Sequence, residues 1–276
     1  MTEIFEFNDL PLVVKDLITE KIVHELHPKE RINFMLTSKT SKWLIERAKP
    51  PTKVYKKLDI FSVLGSSYIN YGRQRITGQN RIILTTLDDI QISETFCFRI
   101  DDFYLEPDVI QILGKCVKFA NHISIEGGKE NLSMIDLIQH IYDYQEFRCK
   151  MPLPVHDVFK SLPNHKNITL EELYVNDDSL VLLAELTNER NPINYLNITS
   201  MSSFSVGGIL WFLKTATFDN NATIKLQPIN EPNSEYISML LRLGCDTTYD
   251  SRNLRFILNL NDIEITVYLP TIFNEN

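Results

Sequence analysis

The sequence predicts an α+β protein in two parts, a small helical module at residues 1–51 and a larger α/β domain at residues 52–276. Three observations carry that prediction. Apolar residues recur every three or four positions between residues 12 and 48, the period of helix faces. From residue 52 to about 107 they alternate along β-branched and aromatic runs, and beyond about residue 120 short strand-like runs take turns with helical ones. With 276 residues, 43% of them hydrophobic, the chain can bury a sizeable core.

Val14, Leu17, Ile18, Ile22 and Leu26 predict the first helix, over about residues 12–26. Pro11 suits its first turn, where a missing amide costs no intrahelical bond, and Asp9 favours the positive end of the helix dipole. His27-Pro28 punctuates the run, because proline disfavours helical backbone before it yet fits the first turn of a second helix, which reaches about residue 36. Thr37 or Ser38 caps a third helix, SKTSKWLIERA, which ends before Pro50-Pro51. A unit this small rarely folds unaided, and it shows apolar groups on more than one face: Val13, Val14, Leu17, Ile22, Ile32, Phe34 and Trp43. Some of these must meet another surface, either the rest of the chain or a second protein.

KVYKKLDIF, QRITGQNRIILTTL and TFCFRIDDFYL predict several strands, expected to be antiparallel, with Gly72, Gly78-Gln79-Asn80 and Asp101-Asp102 as turns. HISIEG, TLEELYVN, INYLNIT and ATIKLQPI predict further strands. Each is followed by a helical stretch: ENLSMIDLIQHIYDYQ, DDSLVLLAELTNE, SSFSVGGILWFLKTA and PNSEYISMLLRLG. Ser133, Asp178 and Asn233 sit where caps are wanted. Strand centres near Ile125, Leu173, Leu196 and Leu226 have an irregular period of about 48, 23 and 30 residues. Together with Leu170-x-x-Leu173-x-Val175 and Ile193-x-x-Leu196-x-Ile198, that pattern resembles leucine-rich-repeat units in a loose form. Such units must stack, so a parallel sheet with helices along one side is expected. LRFILNLNDIEITVYLP then predicts a hairpin about Asn261-Asp262 that closes the sheet's end.

Leu10-Pro11, the apolar positions Ile18, Ile22 and Leu26, the Pro28-Lys29-Glu30-Arg31-Ile32 step and the LTSKTSKWLI ending together resemble an F-box. LPL near the start and TSKTSKWLI at the end are similar to the F-boxes of nematode families that carry an F-box-associated or FTH-type C-terminal domain. The resemblance covers about forty residues well. Between Leu10-Pro11 and Pro28 the sequence is about four residues longer than the usual F-box, about one helical turn, which preserves the face of the apolar stripe and leaves the placement of Leu10-Pro11 open. It implies the substrate-recognition subunit of an SCF-type cullin-RING ubiquitin ligase, with a Skp-type adaptor and its cullin complex as partners. The docking residues it implies are Leu10, Pro11, Ile18, Ile22, Leu26, Pro28, Ile32 and Trp43. Burying each large apolar side chain would contribute roughly 1.5–3 kcal/mol before the cost of association.

The net charge of -8 is uneven. Residues 1–60 hold eleven Lys/Arg and nine Asp/Glu, a sum of +2, and the rest holds 17 and 27, a sum of -10. Lys39, Lys42, Arg47, Lys49, Lys53, Lys56 and Lys57 form a basic run interrupted by Glu46. An acidic chain without a nucleic-acid motif points to a solvated face or a surface that steers an acidic protein, and no nucleic-acid partner is expected. The acidic start and the absence of an apolar run of about eighteen residues predict neither secretion nor membrane insertion. Cys97, Cys116, Cys149 and Cys245 form no C-x-x-C pair and fit a reducing compartment, cytoplasmic and/or nuclear. The N-x-[ST] matches at Asn131, Asn167, Asn197 and Asn221 are then read as chance.

No residues carry a recognisable chemistry. His24, His27, His122, His140, His156 and His165 lack metal-ligand spacing, and Cys149 lacks a nucleophile signature. Gly127-Gly128-Lys129 lacks two elements of a phosphate loop, Gly207-Gly208 falls inside a helical run and reads as allowing close packing, and the pairs Asp88-Asp89, Asp101-Asp102 and Asp177-Asp178 sit at turns or caps. No enzyme activity, metal or cofactor is expected. Three readings stay open: the ligase subunit, whose target protein is unknown; a leucine-rich-repeat-like interaction scaffold outside the ubiquitin system; and an enzyme of unfamiliar type. If the N-terminal helices merely cap a scaffold, the apolar groups of residues 8–49 are buried within the chain. If they dock a partner, those groups are open to solvent.

Overall fold

The computed structural model describes residues 7–25, 28–48, 53–63, 66–79, 84, 87–100, 105–200, 204–228, 238, 242, 246–250, 253–260 and 263–270. After a 3₁₀ turn at Phe7–Asp9 come three helices: α1 (Leu12–Glu25), α2 (Pro28–Thr37) and α3 (Lys39–Arg47). Their bounds follow local signals. Pro11 immediately precedes α1, and its carbonyl accepts from the amides of Val14 and Lys15 at 3.0 and 3.1 Å. Pro28 opens α2, and Ser38 caps α3 by accepting from the Ser41 amide at 2.9 Å. Each of the three packs on the other two, and their buried apolar residues Val23, Leu44 and Ile45 stand apart from the main core cluster, which begins at Leu58.

The rest is a mixed α/β assembly, so the protein is α+β. Its strands are β1 (Lys53–Val63), β2 (Ser66–Tyr71), β3 (Gln74–Gln79), β4 (Ile90–Ile100), β5 (His122–Glu126), β6 (Glu146–Lys150), β7 (Asn167–Leu173), β8 (Ile193–Ser200), β9 (Phe218–Pro228), β10 (Asp246–Asp250), β11 (Asn253–Leu260) and β12 (Ile263–Pro270). They form one sheet in the order β10-β11-β12-β9-β8-β7-β6-β5-β4-β1-β2-β3. From β4 to β9 every neighbour is the next strand in sequence and runs parallel to it. The crossovers carry α4 (Pro107–Val117), α5 (Ser133–Ile138), α6 (Val155–Ser161), α7 (Asp177–Leu186) and α8 (Val206–Thr215), each packed on the next.

Two ladders of side chains run across the stack on the helix side. Leu58, Phe96, Ile123, Phe147, Ile168, Leu196 and Ile224 stand in register, as do Ile60, Phe98, Ile125, Cys149, Leu170, Ile198 and Leu226, and all are buried. Leu113, Leu137, Phe159, Leu183 and Phe212 from the five helices belong to the same cluster. One strand-helix unit cannot cover its own apolar face; a row of them can.

The structure departs from the sequence expectations in several places; α4 was not expected as a helix, and Gly78 and Gln79, expected at a turn, lie in β3. First, β1 with β2 and β2 with β3 pair antiparallel as expected, but β1 pairs with β4 in parallel, because β2 and β3 return the chain so that β4 enters in the direction of β1; alternation along a strand carries no information about its neighbour's direction. Second, the gap of about 48 residues between Ile125 and Leu173 holds the additional unit β6-α6. The register-equivalent residues Phe98, Ile125, Cys149, Leu170, Ile198 and Leu226 therefore recur every 21 to 28 positions. Third, β2 and β10 were not expected as strands. Fourth, the caps shift: Asn176 caps α7 in a reciprocal pair with Ser179, leaving Asp178 in the first turn, while Ser133 is the first residue of α5 and donates its amide to Asn131 Oδ1 at 3.2 Å. The expected hairpin is present as β11 and β12, with β10 added outside it. Asn233, the turn Asn261-Asp262 and most of PNSEYISMLLRLG lie outside the described residues.

Candidate functional site

Among the described residues, the broad surfaces that stand out are the outer side of α1–α3 and the face of the sheet opposite α4–α8. On α1 the inward side is Thr19 and Val23, both fully buried, with the Thr19 hydroxyl donating to the Lys15 carbonyl at 2.7 Å. Buried Arg31 of α2 reaches across to the Val23 carbonyl at 3.4 Å, one of the last carbonyls of α1, and desolvation lowers the pKa of its guanidinium. Asp16 of α1 pairs with Arg47 of α3 at 3.1 Å, and Phe7 packs edge-on against Phe34 with ring centroids 5.4 Å apart.

With that side turned in, Val13, Val14 and Leu17 point outward at three- and four-residue spacing, Val13 70% and Leu17 59% exposed. Ile32 (48%) and Leu36 (74%) stand one turn apart on α2, and Trp43 (47%) lies on α3 with the Arg47 guanidinium 5.3 Å from its ring centre. Among the described residues, thirteen large apolar side chains are exposed, and seven of them lie between Leu12 and Trp43. The N-terminal helices thus carry over half of the large apolar side chains exposed among the described residues.

The residues implied by the resemblance divide as follows. Pro11, Ile32 and Trp43 are exposed; Leu10, Ile18 and Ile22 are half-buried; Pro28 opens α2; Leu26 lies outside the described residues. Val13, Val14 and Leu17 were visible in the sequence as apolar groups on a second face of α1, but nothing local decided which face turns inward. That choice is made by the packing of α1 on α3.

The face of the sheet opposite α4–α8 is polar. Asp59, Cys97, Ser124, Arg148, Thr169, Asn197 and Lys225 stand in register across it, beside Phe61, Arg99, Glu126, Lys150, Glu171 and Thr199. Charges there are paired: Arg99 with Glu126, Arg148 with Glu171 at 2.9 Å, and Lys150 with Glu172 at 3.4 Å. Glu172 holds a left-handed φ of 62° where the register of β7 shifts between Glu171 and Leu173. Partial burial alone would raise the Glu126 pKa, but the hydrogen bond and charge of Arg99, with Arg148 behind them, hold it below the usual carboxylate range. The Arg99 guanidinium also lies 5.6 Å from the Phe61 ring centre, and Lys225 5.4 Å from that of Tyr195.

Several residues capable of chemistry have structural surroundings, while His27, Cys245 and Asp101-Asp102 lie outside the described residues. Buried His165 bridges the Phe159 carbonyl, 2.9 Å from Nε2, and the Asn191 side-chain amide, 2.9 Å from Nδ1, and desolvation lowers its pKa. Burial pushes the Cys149 thiol up to about 12 and raises that of Cys116 further, which keeps both thiols protonated at neutral pH. No cluster of His, Cys, Asp and Glu among the described residues could hold a metal ion. A side chain at Gly127 would stand 2.3 Å from the Ile100 carbonyl oxygen, so this glycine serves a close backbone approach. At Gly208 a Cβ would meet Asp177 Oδ1 at 2.2 Å, in line with the close packing expected there. Among the described residues no helix is long and apolar enough to cross a membrane. Comparison of the chain with family models, characterised proteins and solved structures found no match.

Proposed function

We propose that this chain is the substrate-recognition subunit of an SCF-type cullin-RING ubiquitin ligase. The helices α1–α3 act as an F-box that docks on a Skp-type adaptor. The strand-helix stack acts as a leucine-rich-repeat-like domain that holds a target protein, and neither part performs chemistry. One observation carries the reading: Val13, Val14, Leu17, Ile32, Leu36 and Trp43 are exposed on helices whose main packing is with one another. A capping role would have buried them. The recurrence of register-equivalent core residues every 21 to 28 positions, with helices on one face, supports the repeat-like half.

Exposed apolar groups drive such docking because water leaves both surfaces on contact, and a handful of them offsets the entropy of association. Pro11, Ile18, Ile22 and the segment around Pro28 would lie along the same contact. The test is co-expression with a recombinant Skp-type adaptor. A one-to-one complex that survives gel filtration and recruits a cullin is the expected result. If the chain elutes alone, unchanged in solubility, the ligase reading fails and the interaction-scaffold reading takes its place.

A further inference from the structure

We propose that the outer edge of β3 is a strand-addition site for an extended acidic segment of a partner protein. In the sheet β3 pairs with β2 and with no other described strand, so it is an edge. The pairing of Tyr71 with Gln74 across the two-residue turn Gly72-Arg73 makes Gln74, Ile76 and Gly78 the residues that bond to β2. By alternation, the amides and carbonyls of Arg75, Thr77 and Gln79 face away from the sheet. They form the row that an added strand needs.

The edge is held in place. Ile69 of β2 is fully buried and Ile76 of β3 packs against the same core, which anchors the outermost strand from its helix side. At the turn Gly72 takes a φ of 60°, and a side chain there would stand 2.9 Å from the Tyr55 ring, so the hairpin is pressed onto β1. A preorganised edge loses less entropy on binding than a loop would.

Charge selects the occupant. Residues 66–79 include Arg73 and Arg75 and no Asp or Glu, in a chain of net charge -8. Both arginines are exposed and, among the described residues, neither makes an ion pair, whereas Lys56, Lys57, Arg99, Arg148 and Lys150 all do. The Arg75 guanidinium lies 5.1 Å from the Tyr68 ring centre, beside the free edge. An apolar strand laid here would leave Arg75 uncompensated. An acidic one would pair with it while its backbone completes the ladder.

The site is independent of adaptor docking. The test uses the full chain and a fluorescein-labelled peptide in which Glu alternates with Thr, read by anisotropy at low salt, with a Lys-Thr peptide as control. Saturable binding of the acidic peptide alone is expected. Arg75→Glu should weaken it about three- to tenfold, the effect of losing one exposed attraction and adding a repulsion. Thr77→Pro should abolish it, because it removes an outward amide while leaving the bonds to β2 intact. Leu17→Asp should bind the peptide like wild type. No binding of the acidic peptide, equal binding of both peptides, or full binding by Arg75→Glu overturns the proposal. So does concentration-dependent self-association that Thr77→Pro abolishes, since a second copy, through its acidic edge strand β10, would then be the occupant.

Discussion

The change Leu17→Asp separates docking from folding. Leu17 is 59% exposed in the free chain, so little of its burial contributes to stability. Surface changes of this kind stay within about 0.5 kcal/mol, with a similar helix-propensity penalty for aspartate, and the melting temperature should move by no more than about 2 °C. In a complex the outcome differs. Burying a whole leucine side chain yields about 1.5–3 kcal/mol, and the exposed 59% leaves about 1–2 kcal/mol to be gained at the interface. An aspartate there also strands a polar group among apolar ones, which costs about 1–3 kcal/mol more. The sum corresponds to a loss of about thirtyfold or more in adaptor affinity. The assay is titration calorimetry with a Skp-type adaptor, alongside thermal melts of both proteins. Val23→Asp is the contrasting control, because Val23 is fully buried and its replacement should unfold the helices themselves. Ile22→Asp is less clean, since Ile22 is half-buried. An affinity within threefold of wild type for a Leu17→Asp protein that melts normally would refute the docking face.

Two further outcomes test the scaffold. Gly208→Ala places a methyl where Asp177 Oδ1 stands, and Asp177 cannot retreat freely because it accepts the Ser205 amide at 2.8 Å at the start of α8. A loss of about 1–3 kcal/mol in urea denaturation is expected, partly relieved by adding Asp177→Ala, and unchanged stability would mean that α7 and α8 can slide apart freely. His165 should make stability depend on pH. Its pKa in the fold is below the ordinary 6.5, so the unfolded chain binds the proton more readily. The stability it contributes is intact above about pH 6.5 and is lost as pH falls from there towards its depressed value. The urea midpoint should drop between pH 7.5 and 5.5, and His165→Gln should flatten that dependence.

Local signals made the N-terminal helices legible to within a residue or two. Pro11, Pro28 and Ser38 act on the backbone beside them, whatever the rest of the chain does. The strands β1, β3, β5 and β8 were visible for a similar reason, in runs of β-branched and aromatic residues. The unit β6-α6 was not: Glu146-Phe147-Arg148-Cys149-Lys150 offers only two apolar positions, and Phe147 and Cys149 are fully buried because neighbouring strands bring the core to them. The site was half legible, since residues 8–49 stood out as too apolar for their size while the outward face did not.

Taken alone, the amino-acid order determined the ends of the N-terminal helices and most of the strands, because each depends on groups close together along the chain. Only the tertiary structure decided that Val13, Val14 and Leu17 face solvent, that β1 runs parallel to β4 and that β3 is an edge. These properties depend on which distant segment lies alongside, and helix α1, with apolar side chains around its circumference, could have turned either face inward until α3 packed against one of them.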